Sequence, residues 1–138
     1  PKVLHQADFL ILTNNPLVVK CLGNDYEIRF EKDYSYRDIL IEARDLVYKG
    51  HTLYTHPLSG SVKPNETPYK SIVVSDVPHG FNADMANMMG GSIQVFDKFT
   101  PKNRELTQKL LEDFQLIDYT LLCGALDYDA VAGLSKIK

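Results

Sequence analysis

The chain has 138 residues, of which 44% are hydrophobic, and this is enough to build a continuous core without disulfides or metal ions. Its formal net charge of −3 comes from 15 basic and 18 acidic residues that form no long run of either sign, which argues against a nucleic-acid partner. No segment approaches the length of about 20 apolar residues that a membrane helix needs, and the first ten residues lack the layout of a signal peptide. We therefore expect a single cytoplasmic domain over residues 1–138 that does not enter a membrane.

The chain opens with a strand pattern, a helix pattern and a second strand pattern. Residues 8–12 form an apolar run that is typical of a buried strand. Asn15 suits the N-cap of a helix and Pro16 suits its first position, and Gly23 predicts a left-handed stop at its end. Residues 26–30 alternate apolar and charged side chains, which predicts a half-exposed edge strand.

The alternation of strand patterns and helix patterns continues through the middle of the chain. Ser35 and Asp38 resemble a capping box, and the apolar spacing behind them predicts a helix that ends at Gly50. Residues 52–55 and 71–75 predict a third and a fourth strand. Strands that alternate with helices favour a parallel sheet. The predicted fold is therefore α/β: a three-layer, Rossmann-like arrangement with a mostly parallel four-stranded sheet in the order 2-1-3-4 and helices on both faces.

The final third of the chain predicts helices. Residues 82–98 form a helical pattern that Gly90-Gly91 interrupts, and Thr100-Pro101 predicts the cap and first turn of a longer helix. That longer helix carries an apolar stripe, which is either core or a subunit interface. The stripe consists of Leu106, Leu110, Phe114, Ile117, Leu121 and Leu122. Residues 127–138 are a poorly patterned tail.

The sulfur-containing residues point mainly to the core. Cys21 and Cys123 lie far apart in apolar helix patterns, so we expect both to be buried, in a reducing compartment. Met85, Met88 and Met89 share one helical neighbourhood, where methionines either fill the core or form an adaptable partner surface. A partner surface of this kind would allow the protein to form a homodimer.

The segment between the third and fourth predicted strands is the main candidate for function. Residues 56–70 include three prolines and few core-forming side chains, and loops this long in a compact domain are often functional. The Ser-Gly-Ser stretch at 59–61 would present backbone N–H and hydroxyl groups to an anion, with Lys63 or Lys70 supplying positive charge. The segment lacks the GxxxxGK[ST] pattern of a P-loop, so a proline-stiffened structural loop is the alternative.

Sheet topology adds further residues to this candidate site. In the order 2-1-3-4, the polar residues after the first strand would face the loop across a crevice at the carboxyl ends of the strands. We therefore predict a site for phosphate or carboxylate formed by Thr13, Asn14, Asn15, His56, Ser59, Gly60, Ser61, Lys63, Asn65, Thr67 and Lys70. His56 is a candidate general acid or base because its ordinary pKa is near neutrality. We predict no metal, because no recognised ligand spacing occurs, and no cofactor.

Three strings in the chain resemble the small GrdX family, namely TNNPLV, SYRDILIEARDLVYKGH and THPLSGSVKPNETPYKS. That family is encoded beside the genes for glycine, sarcosine or betaine reductase in anaerobic amino-acid fermenters. The resemblance implies a cytoplasmic accessory protein of a selenium-dependent reductase pathway that generates an acyl phosphate. It brings no assigned mechanism and no site residues.

Three functions follow as hypotheses. The first is an accessory or regulatory binding protein that recognises a small anion or a reductase subunit. The second is a small enzyme acting on a phosphorylated or acylated metabolite, with His56 as acid or base and Lys63 stabilising negative charge. The third is a homodimeric scaffold. We favour the first over an enzyme, because the sequence contains no complete set of nucleophile, base and orienting residue.

Overall fold

The computed structural model describes residues 8–58, 63–101 and 105–137. These residues form four strands and five helices, and most of the predicted elements are present with shifted ends. In chain order the elements are β1 (Phe9–Thr13), α1 (Pro16–Leu22), β2 (Glu27–Phe30), α2 (Tyr36–Tyr48), β3 (His51–Leu53), β4 (Ser71–Pro78), α3 (Ala83–Lys98), α4 (Gln108–Leu126) and α5 (Ala130–Leu134).

The strand order is β2-β1-β4-β3, so the predicted order 2-1-3-4 is wrong. The prediction of a mostly parallel sheet is also wrong, since only β1 and β2 pair in parallel, whereas β4 is antiparallel to both β1 and β3. Two physical reasons account for this. The described part of the connection from β3 to β4 contains no crossover helix, which a parallel return usually requires. In addition, the first five residues of β4 are all buried, and so apolar a strand belongs in the centre of a sheet.

Helices cover both faces of the sheet, as predicted. Alternate residues of β1 and β4 point to opposite faces, which divides the core into two clusters. Leu10 and Ile72 pack with α2 and α3, whereas Ile11 and Val73 pack with α1, α4 and α5. The fold is therefore mixed α/β with three layers and a four-stranded open sheet.

The predicted helix caps in the first half are present, with one correction. Asn15 caps α1, and Ser35 and Asp38 form both bonds of the capping box of α2. Gly50 follows α2 with a positive φ of 105°. Gly23, however, has a φ of −63° and no left-handed conformation. A Cβ at Gly23 would lie 2.5 Å from the Val19 carbonyl oxygen, so close backbone approach explains this glycine.

The C-terminal third is helical, but three predictions about where its helices begin, break or end are wrong. Helix α3 runs through Gly90-Gly91 without a break, and the space beside both glycines is open. Helix α4 begins at Gln108 with Thr107 as its N-cap, not at Thr100-Pro101. The tail contains a short helix, α5, whose first turn Asp129 caps through two backbone N–H groups.

Most of the sulfur-containing residues are part of the core, as the first alternative predicted. Cys21 and Cys123 are buried free thiols. Met89 is fully buried and Met85 packs against the same cluster, while Met88 is exposed. The stripe on α4 is divided: Phe114 and Leu122 are buried, but Leu121 is 43% exposed. No helix within the described ranges combines the length and apolarity needed to cross a bilayer.

Candidate functional site

A group of polar side chains, three buried and one half-buried, lies at one end of the central strand pair. Because β1 and β4 are antiparallel, the end of β1 lies beside the start of β4, and Thr13 pairs with Ser71. Asn15, two residues beyond Thr13, and Asp118 of α4 complete the group. We call Thr13, Asn15, Ser71 and Asp118 the sheet-end cluster.

The hydrogen bonds of the sheet-end cluster converge on one carboxylate oxygen. Asp118 Oδ2 accepts from Ser71 Oγ at 2.7 Å and from Asn15 Nδ2 at 3.0 Å. Thr13 Oγ1 lies 2.7 Å from Ser71 Oγ and accepts from the Asn15 backbone N–H. Because Ser71 uses its only proton on Asp118, Thr13 is the donor in the bond between the two hydroxyls. Helix α4 is thereby tied to the end of the sheet.

Both asparagines after β1 have their side chains occupied by the fold. Asn15 also donates to the Gln115 carbonyl and accepts from the Leu17 backbone N–H as helix cap. Asn14 donates to the Tyr34 and Pro68 carbonyls at 2.8 Å each. Its Oδ1 accepts from the Lys70 backbone N–H at 2.9 Å. These bonds fasten the loop before β4 to the loop after β1.

The buried side chain of Lys70 lies near the cluster, and its charge and that of Asp118 affect each other's pKa. Lys70 is only 6% exposed, and its Nζ lies 5.6 Å from the centroid of the Tyr36 ring. Burial lowers the pKa of Lys70 to about 8, although the charge of Asp118 acts in the opposite direction. Burial of its carboxyl raises the pKa of Asp118, against the hydrogen bonds from Asn15 and Ser71 and the charge of Lys70. Burial thus shifts the pKa of each group in the direction that disfavours its charged form.

Tyr36 also lines a larger open space. It is a cavity of about 440 Å³ between the start of α2, the loop before β4, the end of α3 and the start of α4. We call it the loop cavity. Its lining residues are Asn14, Lys32, Tyr34, Ser35, Tyr36, Arg37, Pro64, Asn65, Thr67, Pro68, Tyr69, Phe96, Phe99, Pro101, Leu106 and Leu111. Aromatic, proline and leucine side chains provide most of this wall.

The charged residues that line the loop cavity are all basic within the described part of the chain. Lys32 is exposed at its border, and the Arg37 guanidinium forms two bonds to Asp97 of α3, at 2.8 and 3.1 Å. Asn65 donates to the Thr100 carbonyl, whereas its buried Oδ1 accepts no hydrogen bond from the described residues. The cavity therefore combines an apolar wall with positive charge and one unsatisfied acceptor.

A comparison with protein-family models identifies the relationship of this chain. The model described as GrdX-like protein matches residues 10–127, which is most of the sequence. The chain belongs to the GrdX-like protein family. The family prediction made from the three strings is thus confirmed. Searches of curated proteins and of solved structures found no match.

The structure distributes the predicted site residues of this GrdX-like chain over several places. Asn14, Asn65 and Thr67 line the loop cavity, and Thr13 and Asn15 belong to the sheet-end cluster, with Lys70 beside it. The predicted crevice between the first and third strands is wrong, because β4 lies between them.

Of the remaining predicted residues, His56 and Lys63 lie in the segment between β3 and β4. His56 is exposed, and its Nδ1 accepts from the Leu58 backbone N–H. Lys63 is exposed and precedes Pro64 of the cavity wall. Ser59, Gly60 and Ser61 lie outside the described residues. No group of His, Cys, Asp and Glu side chains that could hold a metal ion occurs in the described ranges.

Sequence reasoning missed much of the candidate site. Lys32 and residues 34–37 line the cavity, but they carried only a helix-start signal in the sequence. Asp118 was missed because it lies within an apolar helix pattern. One signal was available: Asp118 is the sole charged residue between Phe114 and Leu126. A charged residue within an apolar pattern needs hydrogen-bond partners when it is removed from water. The partners of Asp118 are Asn15 and Ser71.

Proposed function

We propose that this protein is an accessory binding protein that recognises a small organic anion in the loop cavity. Membership of the GrdX-like family suggests association with glycine reductase systems. We place the binding role within that amino-acid metabolism. The observation that carries the proposal is the cavity of about 440 Å³, with two cationic residues and no acidic residue among its described lining residues.

The size and wall of the cavity support a small-molecule ligand. Ligand pockets commonly span ~300–1,000 Å³, with apolar and aromatic walls and a few polar groups that orient the ligand. Here Tyr34, Tyr69 and Phe99 would bury the body of the ligand. Lys32 would attract its negative charge, because Arg37 is already bonded to Asp97. Asn65 Oδ1 would accept from a ligand N–H or O–H.

The described lining supports binding more than turnover. It contains no histidine, cysteine, aspartate or glutamate, the residue types that most often act as acid, base or nucleophile. The alternative of a small enzyme acting on a phosphorylated or acylated metabolite would need such a group at the ligand. His56 is the sequence candidate for that role, but it is not among the lining residues.

A protein partner is the second candidate, and one observation favours it. Leu116 and Leu121 are each 43% exposed on α4, next to Ile117 and Thr120. Exposed apolar side chains that lie together on one helix are typical of interaction surfaces. A reductase subunit or a second copy of this chain would cover them. Light scattering tests the homodimer, and co-elution with purified reductase subunits tests the heteromeric contact.

The ligand proposal is tested by calorimetric titration with phosphate, acetate, acetyl phosphate, glycine and betaine. We expect at least one of these to bind the wild type and to raise its thermal midpoint. A ligand present at 100 times its Kd stabilises the native state by about 2.7 kcal/mol. Lys32→Ala should weaken that affinity roughly tenfold, the equivalent of about 1.4 kcal/mol.

Two further variants make this experiment specific. Lys20→Ala removes an exposed cation from α1, away from the cavity lining, and should leave the affinity unchanged. Lys63→Ala tests the anion site that the sequence predicts around residues 59–63. If Lys63→Ala rather than Lys32→Ala abolishes binding, the anion lies at that loop and not in the cavity. Binding by none of the five compounds would leave the protein partner as the leading function.

A further inference from the structure

The outer edge of β2 is a boundary of the sheet, and no other strand of the described residues pairs with it. Directly after β2, the Glu31 N–H donates to the Thr13 carbonyl of β1 at 3.0 Å. Successive residues of a strand direct their backbone groups to opposite edges, so Ile28 and Phe30 present their N–H and C=O groups outward. An exposed edge of this kind is a template for pairing with another strand.

The side chains of β2 divide into a charged set and an apolar set. Glu27 and Arg29 point to one face of the sheet and are exposed, whereas Ile28 and Phe30 point to the other face and are half-buried. Arg29 is bonded to Glu42 of α2 at 2.6 Å, but its side chain is still 44% exposed. Because a guanidinium has several N–H donors, Arg29 can contact a second carboxylate at this edge.

The two charges of β2 are self-complementary about Ile28. When two copies of β2 pair antiparallel with Ile28 opposite Ile28 of the partner subunit, Glu27 lies opposite Arg29 of the partner subunit. The outward backbone groups of Ile28 make the central pair a hydrogen-bonded one, so both charge pairs fall at the more closely spaced positions beside it. Opposite charges at such positions stabilise a strand pair. A register centred on Glu27 or on Arg29 would instead place like charges opposite each other.

We propose that two copies of this chain associate through the outer edges of β2, with a two-fold axis at Ile28. The interface is isologous, because each copy contributes the same strand, and it joins the two sheets into one. The two Ile28 side chains meet on the face opposite the ion pairs. This association is additional to anion binding in the loop cavity.

The surroundings of β2 are compatible with this pairing. Asp25 would lie near Glu31 of the partner subunit, but the Asp25 carboxylate is already bonded to Lys136. The other edge strand, β3, has three residues and an irregular register with β4, so it offers a poorer template. The β2 edge is therefore the better site for a second copy.

Sedimentation velocity over a range of protein concentrations tests the proposal. We expect the wild type to form a species of twice 15.6 kDa. Glu27→Arg and Arg29→Glu each place like charges opposite each other on both sides of the axis, so each should raise the dimer Kd at least about tenfold. Glu27 forms no hydrogen bond or ion pair within the described residues, so Glu27→Arg should leave the fold of the subunit intact.

An equimolar mixture of the two variants tests the register itself. The arginine introduced by Glu27→Arg then faces the glutamate introduced by Arg29→Glu, and the two unchanged residues face each other. We expect a heterodimer with an affinity close to that of the wild type, although each variant alone is mainly monomeric. A mixture that stays monomeric would contradict pairing about Ile28, and with it the proposal.

Two control variants show whether the effect belongs to this edge. Lys49→Glu changes an exposed charge just before β3, at the opposite edge of the sheet, and should leave the dimer unchanged. Leu121→Asp changes the exposed surface of α4 and should also leave it unchanged. A monomeric wild type, a dimer that neither charge reversal weakens, or a dimer lost in Leu121→Asp would overturn the proposal. If Arg29→Glu fails to fold, the comparison of Glu27→Arg with Lys49→Glu still decides it.

Discussion

The sheet-end cluster and the loop cavity lie close together, but they use polar side chains in opposite ways. In the cluster, Asn15 and Ser71 direct their donors at Asp118 and at backbone carbonyls. In the cavity, Lys32 is exposed at the border and Asn65 Oδ1 accepts no bond from the described residues. The cluster is a filled polar site, and the cavity is an open one.

This difference shows which polar residues serve the fold and which are available to a ligand. Removing one member of a filled site leaves its buried partners without bonds, which costs more than the bond itself contributed. Removing a side chain at the border of an open cavity lets water take its place. Variants in the cluster should therefore reduce stability, while variants at the cavity should reduce binding.

The largest loss of stability should come from Asp118→Ala. This change leaves the Ser71 hydroxyl and one Asn15 N–H without their acceptor, and Lys70 without its neighbouring negative charge. A lost hydrogen bond to a charged group costs about 1.5–3 kcal/mol, so losing these two should lower the free energy of unfolding by about 3–6 kcal/mol. Urea denaturation at pH 7 measures the loss.

Asp113 on the same helix provides the matched control. Its carboxylate pairs with Lys109 at 2.9 Å, and the Asp113 side chain is 48% exposed. Asp113→Ala should therefore cost less than about 1 kcal/mol, as exposed ion pairs do. Equal losses in the two variants would mean that the cluster is no more important for stability than a surface pair.

The second prediction is that Lys70 makes stability depend on pH in the alkaline range. Its pKa falls from 10.5 to about 8 in the folded protein. Between these pH values the unfolded chain binds more protons than the native state, so stability rises with pH. The penalty of the buried charge is fully present below pH 8 and is relieved as pH approaches 10.5. The expected gain is about 3 kcal/mol.

Urea denaturation at several pH values from 7 to 10 measures this gain. Lys70→Met lacks the titrating amine, so the difference in unfolding free energy between wild type and variant should change over this range. Other groups titrate in both proteins and largely cancel in that difference. A difference that stays constant with pH would show that Lys70 is protonated equally in the folded and unfolded states.

The features that the sequence predicted well are local. Asn15, Ser35 and Asp38 bond to backbone groups two or three residues away, so their spacing in the chain is sufficient to identify the caps. The same holds for Gly50, whose positive φ ends α2. Local hydrogen bonding and backbone sterics determine these positions whatever the rest of the chain does.

The features that the sequence predicted poorly depend on distant contacts. The order of β3 and β4 follows from which strand buries more apolar surface beside β1, and this requires a comparison of segments that are distant in the chain. Asp118 and Asn15 are bonded across 103 positions of the chain. The loop cavity is likewise assembled from segments that are distant in the chain, and its lining residues include Asn14, Lys32, Asn65, Phe96 and Leu111. Predicting the site thus required the fold.

The smallest of the three stability effects comes from a comparison of two helix caps. Asn82 accepts from the Met85 N–H and is exposed, so Asn82→Ala should cost the usual value for a lost N-cap, about 1 kcal/mol. Asn15 also caps a helix, but it is fully buried and donates in addition to Gln115 and Asp118. Asn15→Ala should therefore cost about 2–3 kcal/mol.

A double-mutant cycle assigns the excess cost to its source. If the bond to Asp118 causes it, the costs of Asn15→Ala and Asp118→Asn should be non-additive by about 0.5–3 kcal/mol, as they are for residues in one network. The same cycle with Asn82→Ala in place of Asn15→Ala should be additive, since Asn82 lies outside the cluster. Equal costs for the two asparagines, with additivity in both cycles, would reduce Asn15 to an ordinary cap. The sheet-end cluster would then have Ser71 as its one essential link to α4.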